Sequence, residues 1–290
     1  MLANQYQPER YDALFAAKAH AALNQLSPFS PPDPALFTSP SNGFRLRAEF
    51  RMWHDGDDLN YVMFPPGQRD TPHVIEHFPI AGPRISESMA PLRKGLKEAP
   101  TLRKKLFQVE FLSTLSGELL ITLVYHRPLD STWAVEAEAL AKHIDCKIIG
   151  RSRKQKITIQ NDWVEEVLNI DGSAYRYRQP EQCFTQPNGH INQKMAEWLL
   201  LQCAPTDADL LELYCGIGNF TLPLAKRFGR VLATELSKKA TEAAHWNAAI
   251  NGAGNVEFAR LSAEDMTSAL ANTRHFRRLE HLTQPLSQYH

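Results

Sequence analysis

The stretch Asp209-Leu-Leu-Glu-Leu-Tyr-Cys-Gly-Ile-Gly-Asn-Phe220 decides the fold. Leu210, Leu211 and Leu213 form a short apolar run of strand length, and Gly216 and Gly218 follow where the backbone must bend sharply and let a ligand approach. A short helix is expected over Thr221 to Phe228, then a second strand, Arg230-Val-Leu-Ala-Thr-Glu235, that ends in an acid. Strand, Gly-x-Gly turn, helix, strand and acid, in that order, make the nucleotide-binding half of a doubly wound sheet. The acid belongs about 20 residues past the glycines, where it meets ribose hydroxyls, and Glu235 stands at about that distance from Gly216. A dinucleotide fingerprint wants a third glycine where this chain has Thr221. That disfavours a pyrophosphate cofactor and leaves S-adenosylmethionine, which needs the acid and the turn but no phosphate cradle.

Outward from this stretch, Phe184-Thr-Gln-Pro-Asn188 leads into a helix expected to carry Ile191, Met195, Trp198 and Leu199. Downstream, a helix runs through Ala240 and Ala244 to Ile250, Val256-Glu-Phe258 reads as a third strand, and the tail from Asn272 to His290 reads as polar and basic without a strand-like run. Ala263-Glu-Asp265, just past the third strand, is a candidate contact for the adenine amino group of such a cofactor.

Leu213-Tyr-Cys-Gly-Ile-Gly-Asn-Phe220, the Phe184–Asn188 segment and Ala233-Thr-Glu235 together resemble the RNA 5-methyluridine methyltransferases. Arg47-Ala-Glu-Phe-Arg51 with Trp53-His-Asp-Gly-Asp-Asp58 narrows the resemblance to the tRNA (uracil-5-)-methyltransferases of the TrmA type, over essentially the whole chain. The resemblance implies S-adenosylmethionine contacts at Gln186, Tyr214, Gly216, Asn219 and Glu235, RNA contacts at Arg51 and Phe107, and the T-loop of tRNA as partner. It also implies a nucleophilic cysteine in a Ser-Cys-Asn-Pro stretch and a later glutamate as proton acceptor. Neither motif occurs here, because no cysteine follows Cys215, so no catalytic residue is assigned and the chain is expected to stop before its catalytic segment.

The upstream half reads as the RNA side. The chain has 290 residues, 43% of them hydrophobic, which is enough for two domains, expected as 1–178 for RNA recognition and 179–290 for an incomplete Rossmann-like methyltransferase domain; the class is α/β, with an α+β N-terminal part. Lys+Arg and Asp+Glu are both 32, so any nucleic-acid footprint is local. Tyr11, Leu14, Phe15, Ala19, Ala22 and Leu23 recur at helical spacing, and a proline-rich connector follows. Phe44, Leu46, Ala48, Phe50 and Met52 then alternate with Arg45, Arg47, Glu49, Arg51 and Trp53, as on a half-buried strand whose arginine face is either solvated or turned to RNA. Arg84, Arg93, Lys94, Lys97, Arg103, Lys104 and Lys105 make one basic cluster; Lys147, Arg151, Arg153, Lys154 and Lys156 make a second. Phe107, directly after the first cluster, suits either the core or a base platform.

Cys146, Cys183, Cys203 and Cys215 have neither metal-ligand spacing nor a disulfide framework, and no long apolar run suggests a membrane span, so a soluble cytoplasmic protein without a metal is expected. Methylating uracil at C5 needs a thiolate added at C6 and a base for the C5 proton. None of the four cysteines lies in the electropositive setting that makes a thiolate. An RNA-binding protein with a vestigial cofactor fold, inactive as it stands, is the alternative reading, and a small-molecule methyltransferase leaves the basic half unexplained.

Overall fold

A computed structural model describes residues 6–65, 67–68, 70–283 and 286. The described residues form two compact units, the first within Met1–Ser113, Gly117–Asp162 and Pro187–Ile191, the second within Thr114–Ser116, Trp163–Gln186 and Asn192–His290.

In the first unit, α1 (Tyr11–Leu26) precedes β1 (Arg47–Asp55), β2 (Asp58–Met63), β3 (His73–Val74), α2 (Pro83–Glu98), α3 (Pro100–Arg103) and β4 (Leu106–Ser113). After these come β5 (Leu119–Tyr125), α4 (Ser131–Ile144), β6 (Lys147–Ser152) and β7 (Gln155–Ile159). The strands make one sheet in the order β3-β2-β1-β4-β5-β6-β7. Every neighbouring pair is antiparallel except β5 and β6, whose parallel pairing requires the crossover that α4 supplies. The alternation expected on β1 holds: Leu46, Ala48, Phe50 and Met52 are buried, while Arg51 and Trp53 are exposed on the other face. Ile85, Met89, Leu92 and Leu96 of α2, with Trp133 and Ala137 of α4, complete the core over the sheet. Asp130 starts α4 by accepting the Trp133 N–H at 2.9 Å. The helix expected at Tyr11 also forms, but none of its residues is buried.

In the second unit, β8 (Trp163–Ile170) and β9 (Ser173–Pro180) form a hairpin. The later residues of α5 (Gly189–Gln202) belong here too, followed by β10 (Asp209–Leu213), α6 (Thr221–Leu224), β11 (Arg230–Thr234), α7 (Lys238–Ile250), β12 (Val256–Ala259) and α8 (Ala263–Leu270). The three strands read from the sequence appear where expected, parallel and in the order β10-β11-β12.

Three expectations change. The passage between units falls at Asp162/Trp163 rather than at 178/179, because the β8–β9 hairpin is built into the second core. Leu168, Ile170, Tyr175 and Tyr177 pack with Cys215, Ile217 and Ala244. The Arg178 guanidinium lies 4.2 Å from the Trp163 ring centre and 3.8 Å from that of Trp246, and Asn247 accepts the Arg178 N–H while donating to the Ile217 carbonyl. Helix α5 has the expected period but another phase: Asn192, Ala196 and Leu200 point inward, and Trp198 is exposed. The segment after Asn272, expected to be merely polar and basic, supplies Phe276, Leu279, Leu282 and Leu286 to a cluster with Leu211, Leu232, Ala259 and Met266. His281 Nε2 donates to the Phe258 carbonyl and fixes that segment against β12.

Gly150 on β6 is a tight spot, since an added Cβ would stand 2.4 Å from Trp133 and 2.6 Å from Leu129. Gly150→Ala is therefore expected to lower the stability of the first unit by about 1–3 kcal/mol, the cost of overpacking a close-packed core, read as a lower midpoint in thermal denaturation.

Candidate functional site

The glycine turn at the end of β10 is held from β11. Tyr214 at φ +59°, Gly216 at φ +59° and Gly218 at φ +84° carry the chain through left-handed backbone. That is an ordinary conformation for the two glycines and a strained one for the tyrosine, as often occurs at binding sites. The Glu235 carboxylate spans the turn and the next helix: Oε2 accepts the Gly216 N–H at 3.1 Å and Oε1 accepts the Ser237 N–H at 2.7 Å. Ser237 in turn caps α7 by accepting the Ala240 N–H. A Cβ built on Gly216 meets nothing within 4 Å, so the space over this backbone is open to a ligand; at Gly218 the same atom would make ordinary contact with Thr221 and Leu222, and the left-handed φ is what calls for glycine there.

The other expected cofactor residues fall in the same unit. Tyr214 is exposed, its hydroxyl 3.4 Å from Glu264 at the start of α8, which ties the turn to the segment expected near the adenine. Asn219 exchanges both amide hydrogen bonds with the buried Asn192 of α5, at 2.9 and 2.7 Å, and its carbonyl accepts the Tyr177 hydroxyl. Two such bonds leave one N–H and one acceptor site of the Asn219 amide for a ligand. Gln186 is half-buried just ahead of α5. Asn192 escapes a reading of the chain, because it looks like any polar residue of a helix; its inward phase alone marks it. An acid, an open glycine backbone and amide groups without a phosphate-binding lysine suit a nucleoside carrying a charged amino acid.

In the first unit the two expected RNA residues meet. The Arg51 guanidinium lies 3.8 Å from the Phe107 ring centre, and His126 stacks on the same ring at 4.0 Å with planes 27° apart. A bulge turns Phe107 away from the core face. Pairing with β5 slips between Leu106 and Gln108, so Leu106 is buried and Phe107 turns to the outer face, although strict alternation back from Phe111 and Val109 would bury it. His126, exposed at the end of β5, is a member of this stack that no motif in the sequence announces.

The first basic cluster is mostly engaged inside the fold. Arg93 bonds Asp58, Asn60 and the Leu59 carbonyl, Lys97 pairs with Asp58 at 2.7 Å, and Arg103 reaches the Asp57 carbonyl. Lys104 and Lys105 remain exposed beside Phe107. In the second cluster Lys147 pairs with Glu118 and Lys156 with Asp162, while Arg153 and Lys154 stay exposed at the β6–β7 turn.

Three of the four thiols are buried. Burial pushes Cys146 up to about 12 and Cys215 well above the usual thiol range, where Glu212 and Glu235 add to the rise, and Cys183 is buried. Burial also pushes Glu212 of β10 up to about 7, partly offset by the neighbouring Thr221 hydroxyl. Among the described residues no cluster of three His, Cys, Asp or Glu could hold a metal ion, and no helix is long and apolar enough to cross a membrane.

Comparison with known proteins places the sequence beside one family. The family described as tRNA (Uracil-5-)-methyltransferase matches residues 10–290. The tRNA/tmRNA (uracil-C(5))-methyltransferase of Ectopseudomonas mendocina is 51% identical over 279 residues, covering 96% of this chain and 77% of that protein. Its counterpart in Aromatoleum aromaticum is 50% identical over 273 residues, 94% of this chain and 74% of that protein. Among solved structures, the Pyrococcus abyssi tRNA (uracil-54, C5)-methyltransferase in complex with S-adenosyl-L-homocysteine superposes with a TM-score of 0.63 at 18% identity, over 86% of this chain and 62% of that one, and shares its fold.

The raised Glu212 carboxyl makes stability depend on pH with a definite sign. A carboxyl whose folded value lies above its ordinary 4.5 contributes its full stability below about pH 4.5 and loses it as the pH climbs through about 7. Glu212→Gln, which stays neutral throughout, should therefore be more stable than the parent above pH 7, by about 1–3 kcal/mol. The gap should close toward pH 4.5 in denaturant titrations; a gap independent of pH would remove Glu212 as the cause.

Proposed function

The chain belongs to the tRNA (uracil-5-)-methyltransferase family, and on that premise we propose that its second unit holds S-adenosylmethionine at the Gly216 turn. Its first unit meets the T-loop of a cytoplasmic tRNA through Arg51, Phe107 and His126, and together they serve methylation of a uridine at C5. The observation that carries the reading is the Glu235 carboxylate, fixed by the Gly216 and Ser237 N–H groups at the edge of an open glycine backbone. Each of its oxygens keeps acceptor capacity for a ribose hydroxyl.

When bound, the cofactor supplies a methyl group on a positively charged sulfur. This chain's residues bind and orient. Glu235 takes the ribose, the Gly216 backbone allows close approach, and Gln186, Asn219 and Tyr214 surround the remainder; Asn219 does so in an orientation that Asn192 dictates. On the RNA side, the Arg51–Phe107–His126 stack offers the flat cationic and aromatic surface that unstacked bases favour. A uridine must leave its stack before C5 chemistry can reach it.

Thiolate addition at C6 asks for an accessible, acidified thiol, and Cys146 and Cys215 are buried with raised thiols. That observation favours a second reading for the isolated chain, as a module that binds cofactor and RNA without turnover.

Titration calorimetry with S-adenosylmethionine tests the first half. Glu235→Ala should weaken binding by about 1.5–3 kcal/mol, the range for hydrogen bonds to a charged group, while Glu235→Gln, which keeps one oxygen acceptor, should lose less. Unchanged affinity in both would take Glu235 out of the site. For the second half, residues 1–290 alone should transfer no tritiated methyl group to unmodified tRNA. Turnover would show that one of the four cysteines is activated in a way this structure does not contain.

A further inference from the structure

Beside the stack, a groove of 740 Å³ runs between the end of β5 and the β6–β7 turn, lined by His126, Arg127, Pro128, Arg151, Arg153 and Gln155 among others. We propose that this groove is a second RNA subsite, taking a phosphodiester of the strand that continues from the nucleotide held at Arg51–Phe107–His126. The proposal rests on the RNA reading of the first unit and adds to it a place and a chemistry.

The groove has stiff walls. Arg127 on its floor does not reach for a ligand, because its guanidinium donates to the carbonyls of Lys104, Pro128 and Thr101. Gln155 clips the opposite wall: its oxygen accepts the Leu129 N–H at 2.9 Å and the Ser152 hydroxyl at 3.0 Å, and its nitrogen donates to the Leu129 carbonyl at 2.7 Å. The ordering cost of forming such a cleft is met on folding, not on binding.

Its charge suits an anion. Among the described residues no acid lines the groove. The acid nearest in sequence, Asp130, is occupied in capping α4. Other basic residues of this unit are drawn into ion pairs, as with Arg93 and Lys97 on Asp58, Lys147 on Glu118 and Lys156 on Asp162. Arg153 and Lys154 are set apart: they form the exposed two-residue turn closed by the Ser152–Gln155 pair, with Lys154 at φ +60°. Two cations on a rigid turn, beside a groove without acid and next to an aromatic stack, fit the repeating phosphate of a polynucleotide.

The groove is also continuous with the stack. His126 is at once the outer member of the stack and a wall of the groove, so a strand whose base meets the stack carries its neighbouring phosphate toward Arg153.

Fluorescence anisotropy of the whole chain with a labelled T-arm RNA hairpin, over a series of salt concentrations, tests this against two sets of variants. Arg153→Gln with Lys154→Gln should weaken binding about three- to tenfold at low salt and reduce the slope of log affinity against log salt by about 1–2, roughly one for each phosphate no longer neutralised. Phe107→Ala should weaken binding and leave that slope near the parental value. If the double variant keeps the parental slope while Phe107→Ala weakens binding, the groove is only a solvated edge and the proposal falls, but the RNA reading stands. If neither variant matters, both fall. The double variant changes only exposed turn residues, and an unchanged melting midpoint would exclude misfolding as the cause of any loss.

Discussion

The Glu235 carboxylate is the constraint on which the second unit's chemistry depends. Parallel strands deliver their C-terminal ends, and the loops beyond them, to one rim of the sheet. On that rim the β10 turn and the α7 start each present N–H groups that no strand satisfies. One carboxylate accepts from both, fixing the distance between the turn and the helix. With the acid in place the turn need not collapse onto itself, and Gly216 stays uncovered. Polar groups one layer further out copy the pattern on the other side: Asn192 and Asn247 use side-chain amides to hold Asn219 and the Ile217 carbonyl. The turn is thus held from α5, α7, β9 and β11, by bonds to backbone or amide groups rather than by apolar contact alone.

Much of this was legible in the chain because it follows from local rules. The parallel strands β10, β11 and β12 lie where apolar runs between turn residues placed them, and Glu235, expected at the end of the second strand, follows β11 directly. The alternation of β1 was equally plain, since one face is buried and the period is two. What the chain did not reveal depends on partners remote in sequence. A bulge at Phe107 reverses the facing that periodicity assigns, and it is fixed by pairing with β5. The phase of α5 depends on Asn192 having Asn219 to bond, 27 residues away. The β8–β9 hairpin joins the second unit through Trp246, which no local pattern connects to Arg178 and Trp163. The apolar residues after Asn272 are too sparse to form a strand or helix signal, yet they suffice to cover a sheet face.

Electrostatics shows the same limit. Counting basic residues along the chain marked two clusters, but counting does not say which cations are neutralised at home. Asp57, in the turn after β1, and Asp58, at the start of β2, absorb much of the first cluster, and Asp58 is held well below the usual carboxylate range by Lys97 first and the Leu59 N–H next. The surplus reappears around Phe107 and at the β6–β7 turn. A chain whose formal charges balance at 32 and 32 can therefore still carry a basic face, because its acids are committed to chosen partners.

The edge of the second sheet bears on how binding and chemistry are divided. Among the described residues β10 has one neighbour, β11, and the outward backbone groups of Asp209–Leu213 face no strand. Leu213 is exposed at the end nearest the turn, and Glu212 is half-buried, with one carboxyl oxygen buried and unpartnered. An exposed edge of this kind invites pairing. A strand adding in parallel to β10 would finish on the rim that holds Tyr214, Gly216 and Glu235, since parallel strands share their direction. Cys215, inside the turn, is buried in the core cluster instead of on that rim. The exposed end of β10 and the uncovered Gly216 backbone thus lie on one rim of the sheet, where a strand added to that edge would also end.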